Sequence, residues 1–174
     1  MKLRHRALRN AQKYVGVTEH PPNSNHGVLI DKWNKDACGL TGVYWCCSFV
    51  HGMYLQEGFN LPGGASVGNV VGASRTNGWV VTRPRKGDLV CYEFGEGWAG
   101  YDDHIGIVAS CLALRWKGPT FVGWVSTVEG NTSSQAGSGS QSNGGGVFRR
   151  RRWITGSIKA TFVRVPDTHT HDHQ

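Results

Sequence analysis

Three short segments of this 174-residue chain carry side chains that could do covalent chemistry together. In Tyr44-Trp45-Cys46-Cys47-Ser48-Phe49-Val50 a cysteine stands where an apolar helix is expected to begin. In Asp103-His104-Ile105-Gly106-Ile107-Val108 a histidine enters an apolar strand. Val128-Glu129-Gly130-Asn131 then ends a later strand with a carboxylate and an amide. A thiol in the first turn of a helix lies beside unpaired backbone N–H groups and the positive end of the helix dipole, which favour thiolate over thiol. The thiolate is the nucleophilic form, and the same N–H groups can hold the oxyanion of a tetrahedral intermediate. The plainer alternative is that Cys46 and Cys47 are both small apolar packing residues.

A thiol nucleophile needs a base, and imidazole is suited to it near neutral pH. Of the eight histidines, three fall in the C-terminal tail, and His5, His20 and His26 lie in polar surroundings near the N-terminus. His51 follows Cys47 by four residues and shares its helix face, but it points away from the helix end where a thiolate is favoured. His104 opens a strand too apolar for a casually exposed histidine. A third group must orient the ring and stabilise its charged form. Glu129 and Asn131 project from the same face of an extended strand, and either could accept from the ring N–H. Otherwise they are only the polar end of a strand.

The elements that would position these residues follow from periodicity. Leu3, Ala7, Leu8, Ala11 and Tyr14-Val15 predict an amphipathic first helix over 3–15, ended by Gly16. A second helix runs through Val28-Leu29, Lys32-Trp33 and Ala37, with Asn25 as its cap. A buried helix runs from Cys46 to about Glu57 and stops at Gly58, and Ser66 caps a short helix toward Ser74. After Gly78 the pattern changes to short β-branched and aromatic runs: 79–81, 89–92, 105–109, 121–128, 147–148 and 158–165. Helices first and strands afterwards predict an α+β domain with a mostly antiparallel sheet. Residues 133–146, almost wholly Ser, Gly, Gln and Asn, read as a mobile loop between two strands.

Here the residues reach a known pattern. Trp45-Cys46-x-x-Phe49-Val50, Gly87-Asp88-Leu89-Val90, Asp103-His104-Ile105-Gly106-Ile107-Val108 and Glu129-Gly130-Asn131 resemble the CHAP family of cysteine, histidine-dependent amidohydrolases/peptidases. The resemblance spans about 40–165, and Val17-Thr18-Glu19, taken as helical, resembles the family's lead-in. It implies a papain-like α+β fold, with N-terminal helices packed on the sheet, and cleavage of amide bonds in peptidoglycan, as in many phage endolysins. It also implies roles: Cys46 as nucleophile, His104 as base, Glu129 as orienting carboxylate and Asn131 as accessory polar group, with Trp45 in contact with substrate. Cys47 stands where alanine is common in that family, which raises the question of which thiol attacks. Some members bind calcium ahead of the nucleophile. Asp31, Asn34 and Asp36 lie there, but without the alternating spacing of a loop site, and they read as the polar face of a helix.

Bulk properties set the bounds. One domain over 1–166 is expected, long enough to bury roughly 70% of its unfolded surface, followed by a disordered His-rich tail over 167–174. Five cysteines without a C-x-x-C fit neither a disulfide framework nor a structural zinc site, so no metal and no cofactor is expected. No apolar run reaches the ~18 residues that span a bilayer, so no membrane insertion is expected. The basic N-terminus lacks an apolar core after it, so the expectation is synthesis in a cytoplasm without a signal peptide; the resemblance implies action on the wall after release.

The net charge of +7 attracts an anionic partner. Charge alone fits nucleic acid and an acidic polymer such as a bacterial wall equally; the resemblance makes peptidoglycan the expected partner, not nucleic acid, and the protein is expected to be a monomer. Arg149-Arg150-Arg151-Arg152, flanked by Val147-Phe148 and Trp153-Ile154, reads as an alternating strand with partly solvated arginines. The rival reading is a basic, non-catalytic binding protein for wall polymer or nucleic acid, its cysteines merely structural.

Overall fold

A computed structural model describes residues 1–94, 104–117, 120–134, 144–155 and 159–167. Asp103, Ile158, residues 135–143 of the Ser/Gly-rich stretch and the tail from 168 onward lie outside the described residues. Four helices, α1 (Leu3–Lys13), α2 (Val28–Cys38), α3 (Cys46–Leu55) and α4 (Val67–Thr76), precede six strands. The strands are β1 (Val80–Val81), β2 (Leu89–Glu93), β3 (His104–Lys117), β4 (Thr120–Thr132), β5 (Gly146–Ile154) and β6 (Lys159–Val163). They form one sheet in the order β1-β6-β2-β3-β4-β5 with every neighbouring pair antiparallel. The fold is α+β.

The helix that matters most is α3. Nine of its ten residues, Cys46 to Tyr54, are buried, so it is apolar all round and runs through the core instead of along the surface. Gly58 stops it as its position suggests. At φ +75° it donates to Leu55 O at 2.9 Å, while Phe59 N–H reaches Tyr54 O at 3.1 Å and the Tyr54 and Phe59 rings meet at 6.0 Å. This is a Schellman closure with its usual apolar contact. Ser66 caps α4 by accepting from Asn69 N–H.

Two expectations need correction. Asn25 does not cap α2; Gly27 holds the N-cap position, and Asp31 N–H bonds its carbonyl at 2.7 Å. Asn25 is instead in a left-handed turn at φ 57°. Val17-Thr18-Glu19 is not helical either. It runs beside the start of β5, with Thr18 bridging Gly146 and hydrogen bonds from Val147 N–H to Val17 O and from Glu19 N–H to Gly145 O. Gly16 turns the chain out of α1 at φ +98° and lets this short extended segment pair.

The sheet has a core on each face. Leu89, Cys91, Ile105, Ile107, Val128, Val147 and Val163 pack with Leu3, Ala7 and Leu8 of α1 and with Phe49, Val50 and Met53 of α3. Val90, Tyr92, Val108, Phe121, Val125, Ile154 and Phe162 form a second cluster on the opposite face. Period-two alternation assigns His104, Glu129 and Arg152 to that second face, with Val108, Val125 and Ile154 of their own strands. Asp167, assigned above to the tail, is tied to α1: it accepts from Leu3 N–H at 2.7 Å and lies 3.5 Å from Arg4. Among the described residues no helix is long and apolar enough to cross a membrane.

Candidate active site

Cys46 is the first residue of α3, and Trp45 is its N-cap. The Trp45 carbonyl accepts the first helical bond, from Phe49 N–H at 2.9 Å, while its side chain does not cap the turn. That indole is held elsewhere. Its N–H donates to Glu19 Oε1 at 2.9 Å, and its ring stacks on Trp33 at 6.0 Å. Trp45 is fully buried, so it has no surface to offer a substrate, contrary to the role expected for it. Its work is to fix where α3 starts and so where the Cys46 sulfur lies.

The end of β4 is pressed against the same helix start. A Cβ on Gly130 would lie 2.7 Å from Phe49 Cβ and 2.9 Å from the Trp45 ring, so only glycine fits there. This close approach sets the backbone between Glu129 and Asn131 against the residues that flank Cys46 in the chain, Trp45 and Phe49. On β3, Gly106 lies opposite Glu129 in the ladder, and a Cβ on Gly106 would meet Glu129 Cγ at 2.7 Å. The glycine leaves the Glu129 side chain room to cross toward His104.

His104 is the first residue of β3, opposite Tyr92, and its ring stacks on those of Tyr92 at 6.2 Å and Phe94 at 6.3 Å. Its Nε2 lies 2.9 Å from Glu129 Oε2, with both side chains wholly buried. Nδ1 remains for the sulfur. The Cys46 contact is looser than a regular hydrogen bond, since Nδ1 has no partner of full hydrogen-bond geometry, but the sulfur is near enough to favour the charged ring. Burial pushes the His104 pKa down; Cys46 and Glu129 more than offset that and raise it to about 9. Glu129 shows the converse. Burial pushes its carboxyl up, yet His104 and Arg152 hold it well below the usual carboxylate range. The resulting array is an imidazolium between a sulfur and a permanent carboxylate.

Cys47 behaves differently from its neighbour. It is fully buried, its S–H donates to Gly64 O at 3.2 Å, and burial, then the nearby Cys46 and Cys91, pushes its thiol far up. A thiol held protonated in the core is a packing residue. His51, the other candidate base, bonds Asn60 Oδ1 through Nε2 at 2.9 Å.

Asn131 is near but differently placed than a regular strand would have it. It has φ 53° and lies where the β4–β5 register shifts between Glu129 and Thr132, so the period-two argument that puts it on the face of Glu129 fails at this bulge. Its side chain is buried with neither amide atom hydrogen-bonded among the described residues. Of the oxygen-bearing positions ahead of Cys46, Asp31 pairs with His26 at 2.9 Å and Asp36 with Lys32 at 2.6 Å, while Asn34 donates to Val43 O. Among the described residues no group of three or more His, Cys, Asp or Glu gathers as a metal site.

Two residues at the site were not anticipated. Arg152 donates from Nε to Glu129 Oε1 at 2.9 Å and from Nη2 to Oε2 at 2.6 Å, and Thr127 Oγ1 donates to Oε1 at 2.6 Å. The alternating-strand reading of the arginine run held the necessary signal. Arg149 and Arg151 face outward and Arg150 and Arg152 inward, and a buried guanidinium requires a carboxylate. Comparison of the chain with protein-family models, curated proteins and solved structures finds no match in any of the three.

Proposed function

We propose that this protein is a cysteine-dependent hydrolase that cleaves an amide bond of bacterial peptidoglycan, a phage-type lytic enzyme of papain-like build and CHAP type. One observation carries the reading: the buried His104 ring lies between Cys46, at the start of α3, and the ionised Glu129, and both favour its charged form. An imidazolium between a sulfur and a carboxylate suits nucleophilic acyl transfer better than it suits packing.

In the proposed reaction the Cys46 thiolate attacks the amide carbonyl carbon, forming a C–S bond and moving the carbonyl π pair onto oxygen. The first-turn N–H groups of α3 stabilise that oxyanion. As the tetrahedral intermediate collapses, the C–N bond breaks and His104 gives its proton to the leaving amine. Water then attacks the thioester, with His104 taking its proton, and the acid product leaves with Cys46 restored as thiolate. Glu129 stays ionised throughout and orients the ring. No cofactor enters these steps. The solvent-exposed arginines of β5, Arg149 and Arg151, and the overall charge of +7 favour approach to an anionic wall. Tyr44, two residues before Cys46 in the chain, is 64% exposed and open to a substrate.

Digestion of purified wall tests the reading. Cys46→Ala and His104→Ala are expected to abolish release of soluble fragments while the proteins stay folded, and Cys47→Ala to retain it. Full activity in folded Cys46→Ala would reject the assignment. Product masses separate the two bond choices, because a muramoyl-alanine amidase frees intact stem peptides and an endopeptidase cuts within them or the cross-bridge. Salt-sensitive binding without hydrolysis, insensitive to thiol alkylation, would instead favour the basic binding protein.

A further inference from the structure

Arg152 differs from the three arginines before it. Its guanidinium meets the Glu129 carboxylate fork to fork, one N–H on each oxygen, at 2.9 and 2.6 Å. Its central carbon also lies 5.0 Å from the Tyr92 ring centre and 5.1 Å from that of Phe94. Those two rings also stack on His104. One aromatic wall therefore supports both cations, and Glu129 bridges them. A carboxylate turns easily about its last torsion, so a single hydrogen bond to His104 would not fix it. Bidentate pairing does, and Thr127 adds a third donor on Oε1.

We propose that Arg152 is a positioning residue for the thiol–imidazole pair: by clamping both oxygens of Glu129 it fixes the His104 ring against Cys46 and keeps that arrangement in place as the pH falls. The inference rests on Cys46 being the nucleophile, as proposed above, but not on the substrate. Every titratable or charged group facing this array among the described residues belongs to the account. Cys46 and its neighbour Cys47 come from α3, His104 from β3, Glu129 from β4, Tyr92 from β2, and Arg150 and Arg152 from β5. Without Arg152, Glu129 keeps one hydrogen-bonded cation, His104, and regains its freedom to turn. It would then take up a proton at higher pH and release the ring.

The test uses the full chain and iodoacetamide, with mass spectrometry to locate the modified cysteine. Alkylation of Cys46 in Arg152→Met is expected to fall about tenfold or more near pH 5.5 and to converge on the wild-type rate near pH 10, as an altered charge equilibrium requires. Arg152→Lys keeps the charge but loses the fork, so an intermediate loss is expected, and it carries the test if Arg152→Met fails to fold. Arg149→Gln, on the outward face of the same strand, should leave the profile unchanged. Profiles of folded Arg152→Met, or of Arg152→Lys in its place, that superimpose on wild type would overturn the proposal. So would a proportional loss at every pH, the mark of a merely structural role. The two readings separate: wild-type wall digestion with an unmoved alkylation profile rejects only Arg152, whereas a shifted profile without digestion rejects only the substrate.

Discussion

Asp88, just before β2, and Glu129, near the end of β4, are both carboxylates with no solvent exposure, and each is held by a bidentate arginine. Asp88 accepts from Arg164 Nε at 3.0 Å and Nη2 at 2.7 Å, and from Arg85 N–H at 2.8 Å, with Arg4 3.5 Å away. Every one of those partners is a permanent cation or a backbone donor. They come from α1, from the turn before β2 and from the chain after β6, so Asp88 ties distant parts of the chain to the middle of the sheet. Glu129 has the same kind of clamp, from Arg152 and Thr127, plus one partner that can lose its proton. That partner, His104, also reaches a sulfur. The two carboxylates thus differ in one respect: every partner of Asp88 is fixed, whereas one partner of Glu129 can titrate.

The contrast breaks most sharply under paired substitution. On the proposed function, Glu129→Gln should lower the rate of wall hydrolysis by about a hundredfold or more in a protein that still folds, because the charged form of His104 loses its partner. Asp88→Asn should cost about 3–5 kcal/mol in chemical denaturation by leaving buried arginine charge uncompensated, with turnover per folded molecule little changed. A folded, stable Asp88→Asn without turnover would erase the distinction.

A gentler pair uses glycine. Gly106→Ala places a methyl 2.7 Å from Glu129 Cγ and should reduce turnover about tenfold by displacing the carboxylate. Gly87→Ala, at φ +86° with Arg4 O 2.8 Å from the new methyl, should cost about 1–3 kcal/mol of stability and leave turnover nearly intact.

The smallest effect is pH dependence of stability. The folded His104 pKa, about 9, lies above the imidazole value of ~6.5 expected for the unfolded chain. The unfolded state therefore binds fewer protons between those values, and stability declines as pH rises through that window. The contribution is fully present below pH ~6.5 and gone above the folded value. The lowered pKa of Glu129 acts at the other end, adding stability above the unfolded carboxyl value of ~4.3 that is lost only as pH falls toward its folded value. Thermal melts between about pH 6 and 10 should show the alkaline decline in wild type and a weaker one in His104→Ala.

Much of this was legible before any coordinates. Apolar spacing marked α1 and α3, Gly58 and Ser66 marked helix ends, and the switch to β-branched runs after Gly78 marked the sheet. Cys46 falls at the first position of α3, and His104 at the first position of β3, as their flanking residues suggest. What escaped were features that depend on partners far away in the chain. Trp45 looks like a substrate residue from its neighbours, but Glu19 and Trp33 bury it. Asn131 looks like the strand-mate of Glu129, but a bulge turns the backbone at that point. Arg152 reads as one of four partly solvated arginines on an alternating strand, but which carboxylate its inward side chain meets depends on the distant Glu129.

Local sequence determined element types, most of their ends and the candidate reactive side chains, because helix and strand periodicity, glycine turns and caps act over a few residues. Tertiary structure alone decided which thiol faces a base, which carboxylate is ionised and which arginine holds it. Those are properties of low-dielectric contacts between groups such as Cys46, His104, Glu129 and Arg152, which strand register and the packing of α3 bring together from opposite ends of the chain.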